Sequence, residues 1–469
     1  MSQGPPTTDT SGSKLITNGV VVTVDDDFTV HDPGWVHVAG DRIAAIGTGS
    51  APEQIRRAVD REIDASNSVV MPGMVNAHTH LFQSFFRGLA DDKPLLEWLK
   101  NCIWPGAVHM DAETAHLAAL VGLIENLRTG ATAVIDHQYV HVTDEIDDAV
   151  CTAADKLGIR LRLARGWADQ NYEPALSETA EEILERTTLL RERWLTHPRI
   201  QVELAPLIPW GCSDKTMQLT VSQAREWGVG THIHCAETKS EIEMSLADRG
   251  LRHVEWLASL DALGPDVQLA HGIWLDDHEL DLVAKHGALV VHCPVSNMYL
   301  ASGVARVLDM LKRGIPVALA SDGPGSNNRQ DMFEVLKTTV LLQKVHHLDA
   351  MALQPEDVVR MACRGGARAF GALDQIGTPD ELGCLAVGRP ADLVIVDLDT
   401  VWASPVHRPI SSLVFCAGTA DVTHVMVDGE LLIDDRSMTM IDEAAVLAEA
   451  QQAARQLFKR AGIESRLTR

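Results

Sequence analysis

Two short histidine pairs stand out among the residues that could do chemistry. His78 and His80 are two positions apart at the end of one apolar run, and His232 and His234 repeat that spacing at the end of another. Side chains of a strand alternate between its faces, so both members of a pair project to one side. Paired imidazoles suit a divalent metal ion, although an isolated pair is also compatible with two surface histidines. In the second pair His234 lies nearer the end of its run and is the better ligand candidate, whereas His232 fits a buried polar position one layer lower.

Three further candidates also follow β-type runs. Glu237 comes three residues after His234, His271 ends the run Leu269-Ala270-His271, and Asp322 precedes Gly323. Singly, each has an ordinary explanation: a helix start, a structural histidine and a turn residue. Chance placement of all these groups at the ends of such runs is improbable, so their joint arrangement favours one functional site.

The middle of the chain alternates β-type runs with amphipathic helical stretches. This alternation predicts a parallel sheet, and eight units favour a closed (β/α)8 barrel, with functional residues at the carboxyl ends of its strands. An open doubly wound sheet is the alternative, but no Gly-rich turn follows the first strand. The predicted strands are Val69–Ala77, Thr132–His137, Arg160–Gly166, Gln201–Leu207, Gly230–Cys235, Val267–Gly272, Ala288–Cys293 and Pro316–Ser321.

Both ends of the chain are rich in short β-type runs. We predict that residues 14–70 and 384–440 build one small β-sandwich domain beside a barrel formed by residues 71–383. A polar lead is expected over residues 1–13 and a terminal helix within residues 441–469. The fold class is therefore α/β: a TIM barrel with a β-sandwich domain made from both chain ends.

Composition narrows the class of partner. The 469 residues are 46% hydrophobic and carry a formal net charge of −25, which suits a soluble globular protein and disfavours a nucleic-acid substrate. The eight cysteines contain no CxxC pair, which favours free thiols in a reducing cytoplasm. No apolar stretch is long enough to predict a membrane span.

Five segments together resemble the amidohydrolase superfamily. They are VMPGMVNAHTH, THIHCAET, QLAHG, HCPVSNMYLASG and LASDGPGSNN, and they look closest to the branch of adenosine-type, 8-oxoguanine and s-triazine deaminases and chlorohydrolases. The resemblance covers nearly the whole chain and implies a hydrolase. Relatives are often dimers or larger, which implies a homo-oligomer.

The resemblance also implies roles for individual residues. His78, His80, His234 and Asp322 would hold a metal ion, with zinc the usual ion and iron found in some relatives. Glu237 corresponds to the proton-shuttling acid, and His271 corresponds to the histidine that orients the attacking water. Binuclear relatives carry a bridging lysine at the end of strand four, where this chain reads QVELAPLIPW, so we expect one metal. Asp322 can then take the proton of the water, which makes it catalytic as well as a ligand.

The substrate is predicted less sharply. The FRGLADD and IWP segments look like those of methylthioadenosine and S-adenosylhomocysteine deaminases, but Ala107 and Leu207 stand where those enzymes place ribose-binding glutamate and histidine. HLFQ and DHQY instead resemble 8-oxoguanine deaminase and hydroxyatrazine hydrolase. We therefore expect a planar free base or base-like ring and not a ribosylated one, with Trp104 as a further wall of the pocket. The pocket candidates are Gln83, Trp98, His137, Arg165 and Asn297.

The expected function is hydrolytic deamination of an amino-substituted nitrogen heterocycle such as an oxidised guanine, a pterin or an s-triazine. One alternative is a nucleoside deaminase of the methylthioadenosine type. A second is a triazine chlorohydrolase or N-dealkylating hydrolase, which would differ in the leaving group. A non-enzymatic scaffold is the third, and retention of all four metal ligands argues against it.

Overall fold

Two sheets organise the protein, whose computed structural model describes residues 12–89, 92–371 and 382–463. Residues 1–11 of the predicted lead lie outside the described residues. The strands are, in chain order, β1 (Ser13–Val22), β2 (Val30–Ala39), β3 (Arg42–Thr48), β4 (Arg61–Asp64), β5 (Ser68–Pro72), β6 (Met74–Thr79), β7 (Ala131–Gln138), β8 (Arg160–Trp167), β9 (Ile200–Pro206), β10 (Thr231–Cys235), β11 (Val267–His271), β12 (Leu289–His292), β13 (Val317–Leu319), β14 (Leu393–Asp397), β15 (Val422–Val427), β16 (Glu430–Asp434) and β17 (Ser437–Met438).

Strands β6 to β13 form the barrel. Each pairs in parallel with the next strand along the chain. The ring closes where β13 meets β6, because the Asp322 amide donates to the His78 carbonyl at 3.0 Å and the Ser321 amide donates to the Asn76 side-chain oxygen at 3.0 Å. The (β/α)8 barrel predicted from the alternating pattern is confirmed, and its closure brings the first and last functional strands together.

The first predicted strand divides into two. Val69–Ala77 was expected to be continuous, but Pro72 ends β5 and Met74 begins β6. Gly73 lies between them, where a Cβ atom would come within 2.1 Å of the Thr132 hydroxyl oxygen. Its amide donates to the Asp392 carbonyl at 3.1 Å. The chain therefore passes from the terminal sheet to the barrel at a position that only glycine fits.

Helices follow most barrel strands and cover the outside of the ring. Several of them begin at a side-chain cap: for example, Thr238 and Glu241 form a reciprocal capping box at the start of the helix after β10. The α-helices are α1 (Glu53–Arg56), α2 (Leu95–Trp98), α3 (Trp104–Ala107), α4 (Ala112–Arg128), α5 (Glu145–Leu157), α6 (Ala180–Trp194), α7 (Asp214–Trp227), α8 (Lys239–Arg249), α9 (His253–Ser259), α10 (Asp277–His286), α11 (Pro294–Tyr299), α12 (Val307–Lys312), α13 (Pro324–Asn327), α14 (Met332–His347), α15 (Pro355–Arg360), α16 (Gly366–Gly371), α17 (Pro409–Phe415) and α18 (Glu443–Arg460). Among the described residues none of these helices combines the length and apolarity needed to cross a membrane.

The second sheet is built from both chain ends, as predicted. Its order is β17-β16-β15-β14-β5-β1-β2-β3, with β4 paired to β1. It branches along β1, where Lys14–Thr17 pair with β4 while Val20 and Val21 pair with β5. The module predicted as a sandwich is thus one branched, mostly antiparallel sheet in its hydrogen bonding.

A buried ion-pair network joins this sheet to the barrel. Arg160, at the start of β8, donates from Nε to Asp392 at 2.7 Å and from Nη2 to Asp392 at 2.9 Å and to Asp428 at 2.5 Å. Arg199 reaches the other oxygen of Asp428 at 3.0 Å. Since buried charges are costly unless paired, this network fixes the sheet against the amino-terminal end of the barrel, away from the ends that carry the functional residues.

Replacing Asp392 by alanine should lower the free energy of unfolding by about 3 kcal/mol, because it leaves the buried Arg160 guanidinium short of a carboxylate partner. Chemical denaturation would measure the change. Glu53→Ala is the matched control, since its ion pair with Arg57 is exposed on both sides and should contribute little. A similarly small effect of both substitutions would contradict the role given to the network.

Candidate metal centre and catalytic cleft

The barrel brings the four predicted metal ligands to one point. His78 Nε2 and His80 Nε2 each lie 3.4 Å from Asp322 Oδ1, and His80 Nε2 lies 3.2 Å from His234 Nε2. All four side chains are buried. His78 and His80 come from the end of β6, His234 from β10 and Asp322 from the turn after β13, so chain closure is what assembles the set.

These donors fit a divalent metal ion. His80 Nδ1 lies 2.6 Å from the His137 carbonyl and His234 Nδ1 lies 2.7 Å from the Leu207 carbonyl. A carbonyl can only accept, so each ring carries its proton on Nδ1 and turns the Nε2 lone pair towards the centre. His78 Nε2 is buried with no hydrogen-bond partner, which is costly unless another group occupies the space between the donors. Three imidazoles and one carboxylate are a common donor set for zinc and similar ions.

The protonation states of these side chains also suit metal binding. Burial, reinforced by the neighbouring His78, lowers the pKa of His80 to about 3, so the ring is neutral and its lone pair is available. Burial alone would raise the pKa of Asp322, but the adjacent His78 imidazole, followed by His80 and His271, holds that pKa well below its usual value. The centre therefore offers neutral nitrogen ligands and an ionised carboxylate.

Asp322 is held in an unusual backbone conformation. Its φ is +63°, in the left-handed region that non-glycine residues rarely adopt. Its Oδ2 accepts hydrogen bonds from Ser296 Oγ at 2.5 Å and Ser326 Oγ at 3.1 Å. The two serines, which no sequence signal identified, fix the carboxylate beside the histidines.

Glu237 and His271 lie together at the edge of the centre. Glu237 Oε2 is 3.7 Å from His271 Nε2, and Ser302 Oγ donates to Glu237 Oε1 at 3.1 Å. Burial raises the pKa of Glu237 to about 7, which leaves it able to give and take a proton near neutrality. Thr238 takes the helix-capping role, which frees the Glu237 side chain to face the cleft.

His271 is oriented by a side chain that the sequence placed in the pocket. His271 Nδ1 lies 2.9 Å from Asn297 Oδ1, and Asn297 is fully buried behind it. Burial by itself would lower the pKa of His271, but the Glu237 and Asp322 carboxylates and this hydrogen bond raise it. Asn297 therefore lies behind a cleft residue and does not line the cleft.

A narrow cleft, with a cavity volume of about 40 Å³, opens above the centre. Two of the five predicted pocket residues line it. Gln83 donates to the Tyr139 hydroxyl at 2.9 Å and accepts from the Gly325 amide at 3.2 Å, while Trp98 Nε1 donates to the Gly325 carbonyl at 3.0 Å. The cleft is lined by His80, Gln83, Leu95, Trp98, Leu99, Tyr139, Tyr172, Leu207, Ile208, Trp210, His234, Glu237, His271, Leu300, Asp322 and Ser326.

Arg165 and His137 do not line the cleft. Arg165 is buried, with its guanidinium committed to Asp147 at 2.8 Å and to both oxygens of Glu178 at 2.9 Å. The His137 ring stacks on His234 with centroids 4.8 Å apart, underneath the metal ligands. Trp104 packs against Tyr172 from outside, with ring centroids 5.0 Å apart. These residues support the cleft from behind.

Sequence reasoning missed most of the aromatic wall. Tyr139, Tyr172 and Trp210 follow three different strands; the rings of Tyr172 and Trp210 are 5.6 Å apart, and Tyr139 meets the edge of His80 at 4.9 Å. No spacing pattern links these positions. Tyr139 directly after β7 is the one that a search of strand ends could have found.

Comparisons with known proteins agree on the fold and the chemistry. The sequence profile of the amidohydrolase family matches residues 69–432. A 5'-deoxyadenosine deaminase of Methanopyrus kandleri is 35% identical over 442 residues, covering 94% of this chain and 98% of the relative. A 5-methylthioadenosine/S-adenosylhomocysteine deaminase of Syntrophobacter fumaroxidans is 36% identical over 444 residues, covering 94% and 97%.

Solved structures give the same result. An adenosine deaminase from Xanthomonas campestris with bound zinc superposes with a TM-score of 0.88 at 30% identity, covering 95% of this chain and 98% of that one. Atrazine chlorohydrolase from Arthrobacter aurescens, complexed with zinc, superposes with a TM-score of 0.87 at 23% identity, covering 94% and 100%. At that lower identity the second likeness concerns the fold alone.

His78→Ala and Asp322→Asn should each lower the metal content of protein purified without chelators, because each removes one of four converging donors. Elemental analysis would measure it, and we expect one equivalent in the unaltered protein. His407→Ala, at an exposed histidine, is the control and should leave the content unchanged. Full metal occupancy in both ligand variants would show that these residues are not the ligands.

Proposed function

We propose that the protein deaminates an amino-substituted purine-type ring. The proposal proceeds from its family: the chain belongs to the amidohydrolase family and is a metal-dependent enzyme that hydrolyses carbon–nitrogen bonds. The observation that carries the proposal is the convergence of the four proposed metal ligands, Glu237 and His271 beneath a cleft lined by aromatic and aliphatic side chains. An exocyclic amino group on a planar heterocycle is the substrate that this combination of acid, base and apolar lining suits.

The metal proposed is one zinc ion, held by Nε2 of the three histidines and by Asp322. The end of β9 offers no lysine that could bridge a second ion. When bound, such an ion lowers the pKa of water and so supplies a nucleophile near neutral pH. The buried, unpartnered Nε2 of His78 supports this assignment.

The chain's own groups then move the protons. We assign Asp322 the acceptance of the proton released by the attacking water, since its carboxylate is ionised and held by two serines. Glu237, with a pKa of about 7, is assigned protonation of the ring nitrogen beside the attacked carbon. His271 orients the water through Nε2. Water oxygen forms a bond to the ring carbon and the bond to the amino nitrogen breaks. Ammonia leaves with the proton that Asp322 accepted, the proton from Glu237 stays on the ring nitrogen, and the remaining hydroxyl proton returns to Glu237 as the ring carbonyl forms.

The substituent on the ring is proposed from the outer wall of the cleft. Leu207, at a position where the sequence analysis expected nucleoside deaminases to bind ribose, lines this wall together with other apolar and aromatic residues. Ala107 is buried but is not among the lining residues. The named relatives act on 5'-deoxyadenosine and on methylthioadenosine and S-adenosylhomocysteine, which favours the nucleoside alternative over a free base. We propose an adenine ring whose ribose ends in an apolar 5' group.

A free base is the second candidate. It is favoured by the same replacement at Leu207, which removes a polar partner for ribose, and by the HLFQ and DHQY segments that resemble 8-oxoguanine deaminase. A triazine with chloride or alkylamine as leaving group would use the same metal and acid. Ammonia, chloride and alkylamine release distinguish the three.

Location and assembly remain predictions. The eight cysteines all lie among the described residues and form no disulfide, and seven are buried, which is the pattern expected in a reducing compartment. We propose a cytoplasmic homo-oligomer, which sedimentation of the purified protein would test.

The substrate proposal predicts that kcat/KM for 5'-deoxyadenosine and methylthioadenosine exceeds that for adenosine by about 10- to 100-fold, since burying an unpaired 5' hydroxyl against the leucine-rich wall costs about 1–3 kcal/mol. Adenine, 8-oxoguanine and an amino-s-triazine complete the ammonia-release panel. Preference for adenosine would overturn the apolar 5' group, and preference for 8-oxoguanine would establish the second candidate.

The role given to Glu237 predicts that Glu237→Gln keeps its metal but loses about 10²- to 10⁴-fold in kcat, because the amide cannot transfer a proton. Glu237 must be protonated to act, so kcat/KM should fall as pH rises through its pKa. Ser302→Ala removes a hydrogen bond to the charged form, which raises that pKa and should move the alkaline limb upward by about 0.7 pH unit. An unmoved limb would assign the titration to another group.

A further inference from the structure

Each of the three histidine ligands needs a partner at Nδ1 that decides which nitrogen carries the proton. For His80 and His234 the partner is a backbone carbonyl, which accepts a hydrogen bond in every circumstance. His78 differs, because its Nδ1 lies 2.8 Å from Nε2 of His232, another imidazole. An imidazole nitrogen can donate or accept, so the proton position on His78 depends on what lies beyond His232.

Beyond His232 lies Gln268, its registered neighbour on β11. His232 Nδ1 is 2.8 Å from Gln268 Oε1, and Gln268 Nε2 donates to the Ala369 carbonyl at 2.8 Å. Rotating the Gln268 amide by half a turn would set its oxygen against that carbonyl, so the carbonyl fixes the amide orientation. Gln268 therefore presents an acceptor to His232.

The proton positions follow from this starting point. With an acceptor at Nδ1, His232 carries its proton there, and its Nε2 presents a lone pair to His78. His78 must then donate from Nδ1, which leaves its own Nε2 unprotonated and facing Asp322 Oδ1 at 3.4 Å. If His232 instead donated from Nε2, the proton of a neutral His78 would sit on Nε2 and block metal binding.

We propose that Gln268 and His232 are positioning residues: through their hydrogen bonds they fix which ring nitrogen of His78 carries the proton, and so present its Nε2 lone pair to the metal. We call the hydrogen-bonded series Ala369–Gln268–His232–His78 the relay. This rests on the metal site of the proposed function. The chain Ala369–Gln268–His232–His78 is buried throughout. These side chains fix the proton on Nδ1 of His78, as backbone carbonyls do for His80 and His234. Because side chains form it, this is the one of the three anchors that a substitution can remove.

His232 has a competing interpretation as a ligand. With His78 and His137 it forms a second cluster of nitrogens close enough to hold an ion. The contact between His232 Nε2 and His78 Nδ1 already uses both atoms. The relay accounts for the observed distances without a further ion.

The test compares Gln268→Met, which is similar in size but offers no acceptor of this kind, with Gln268→Glu, which keeps an acceptor oxygen in either protonation state. Zinc affinity is measured by competition with a chelator. Gln268→Met should weaken binding by about 10- to 100-fold, the usual effect of losing the partner of a metal-bound histidine, and Gln268→Glu should stay within a few-fold of the unaltered protein. His292→Leu is the control, a buried barrel histidine whose ring nitrogens have no hydrogen-bond partner, and should leave affinity unchanged.

A second measurement needs no Gln268 variant. Nitrogen–proton correlation spectra of the metal-free protein with ¹⁵N-labelled histidine report the tautomer of each ring, and the His78 signals are identified by their loss in His78→Ala. The proton should lie on Nδ1 of both His78 and His232. A proton on His78 Nε2, or equal zinc affinity in Gln268→Met and the unaltered protein, would overturn the relay. Two bound equivalents, one lost in His232→Leu, would make His232 a ligand. Failure of the unaltered protein to bind zinc would instead refute the proposed function while the tautomers still test the relay.

Discussion

Three imidazole rings buried side by side must each keep one nitrogen unprotonated and turned to the same point. Most polar contacts at the mouth of the barrel serve this requirement. Carbonyls of neighbouring strands hold His80 and His234, and Asp322 is fixed by serines from two segments after β12 and β13. The carbonyl anchors lie on a barrel strand or directly after one, and the serines lie in the short helices that follow β12 and β13, so the donors are preorganised before an ion arrives.

Burial shifts the pKa values of neighbouring groups in opposite directions, lowering those of the ligand histidines and raising that of Glu237. Around the histidines it keeps the rings neutral and available as ligands. At Glu237, three residues beyond His234, the same burial raises the carboxyl pKa to about 7 and makes it an acid near neutral pH. The apolar outer wall of the cleft maintains this environment by excluding water from the acid. The substrate proposal and the strength of this acid therefore rest on the same leucine and aromatic side chains.

The terminal sheet contributes at a distance. Its ion pairs with Arg160 and Arg199 fasten it to the amino-terminal end of the barrel strands, while the chemistry lies at the carboxyl ends. Arg165, Asp147 and Glu178 form a comparable buried cluster nearer the mouth, behind the aromatic wall. Arg165, which the sequence alone offered as a substrate contact, is thus a structural residue here, because its hydrogen bonds are made to Asp147 and Glu178.

The sequence by itself determined the barrel, the terminal β module and the set of residues that we propose as metal ligands. Local sequence patterns carry this information, because strand runs alternate with helices and each proposed ligand stands at or just beyond the end of a run. Seven of the eight predicted strands agree closely with the structure. The remaining predicted strand, Val69–Ala77, is divided at Gly73, where any side chain would collide with Thr132, a constraint that no local pattern shows. Tertiary structure alone decided which polar residues reach the cleft. Gln83 lines the cleft and bonds to Gly325, which is 242 positions away in the chain. Arg165 is kept out of the cleft by its ion pairs, and Asn297 lies behind His271. Whether a polar side chain meets substrate or another side chain depends on partners brought together only by closure of the ring, and that information is spread across the whole chain.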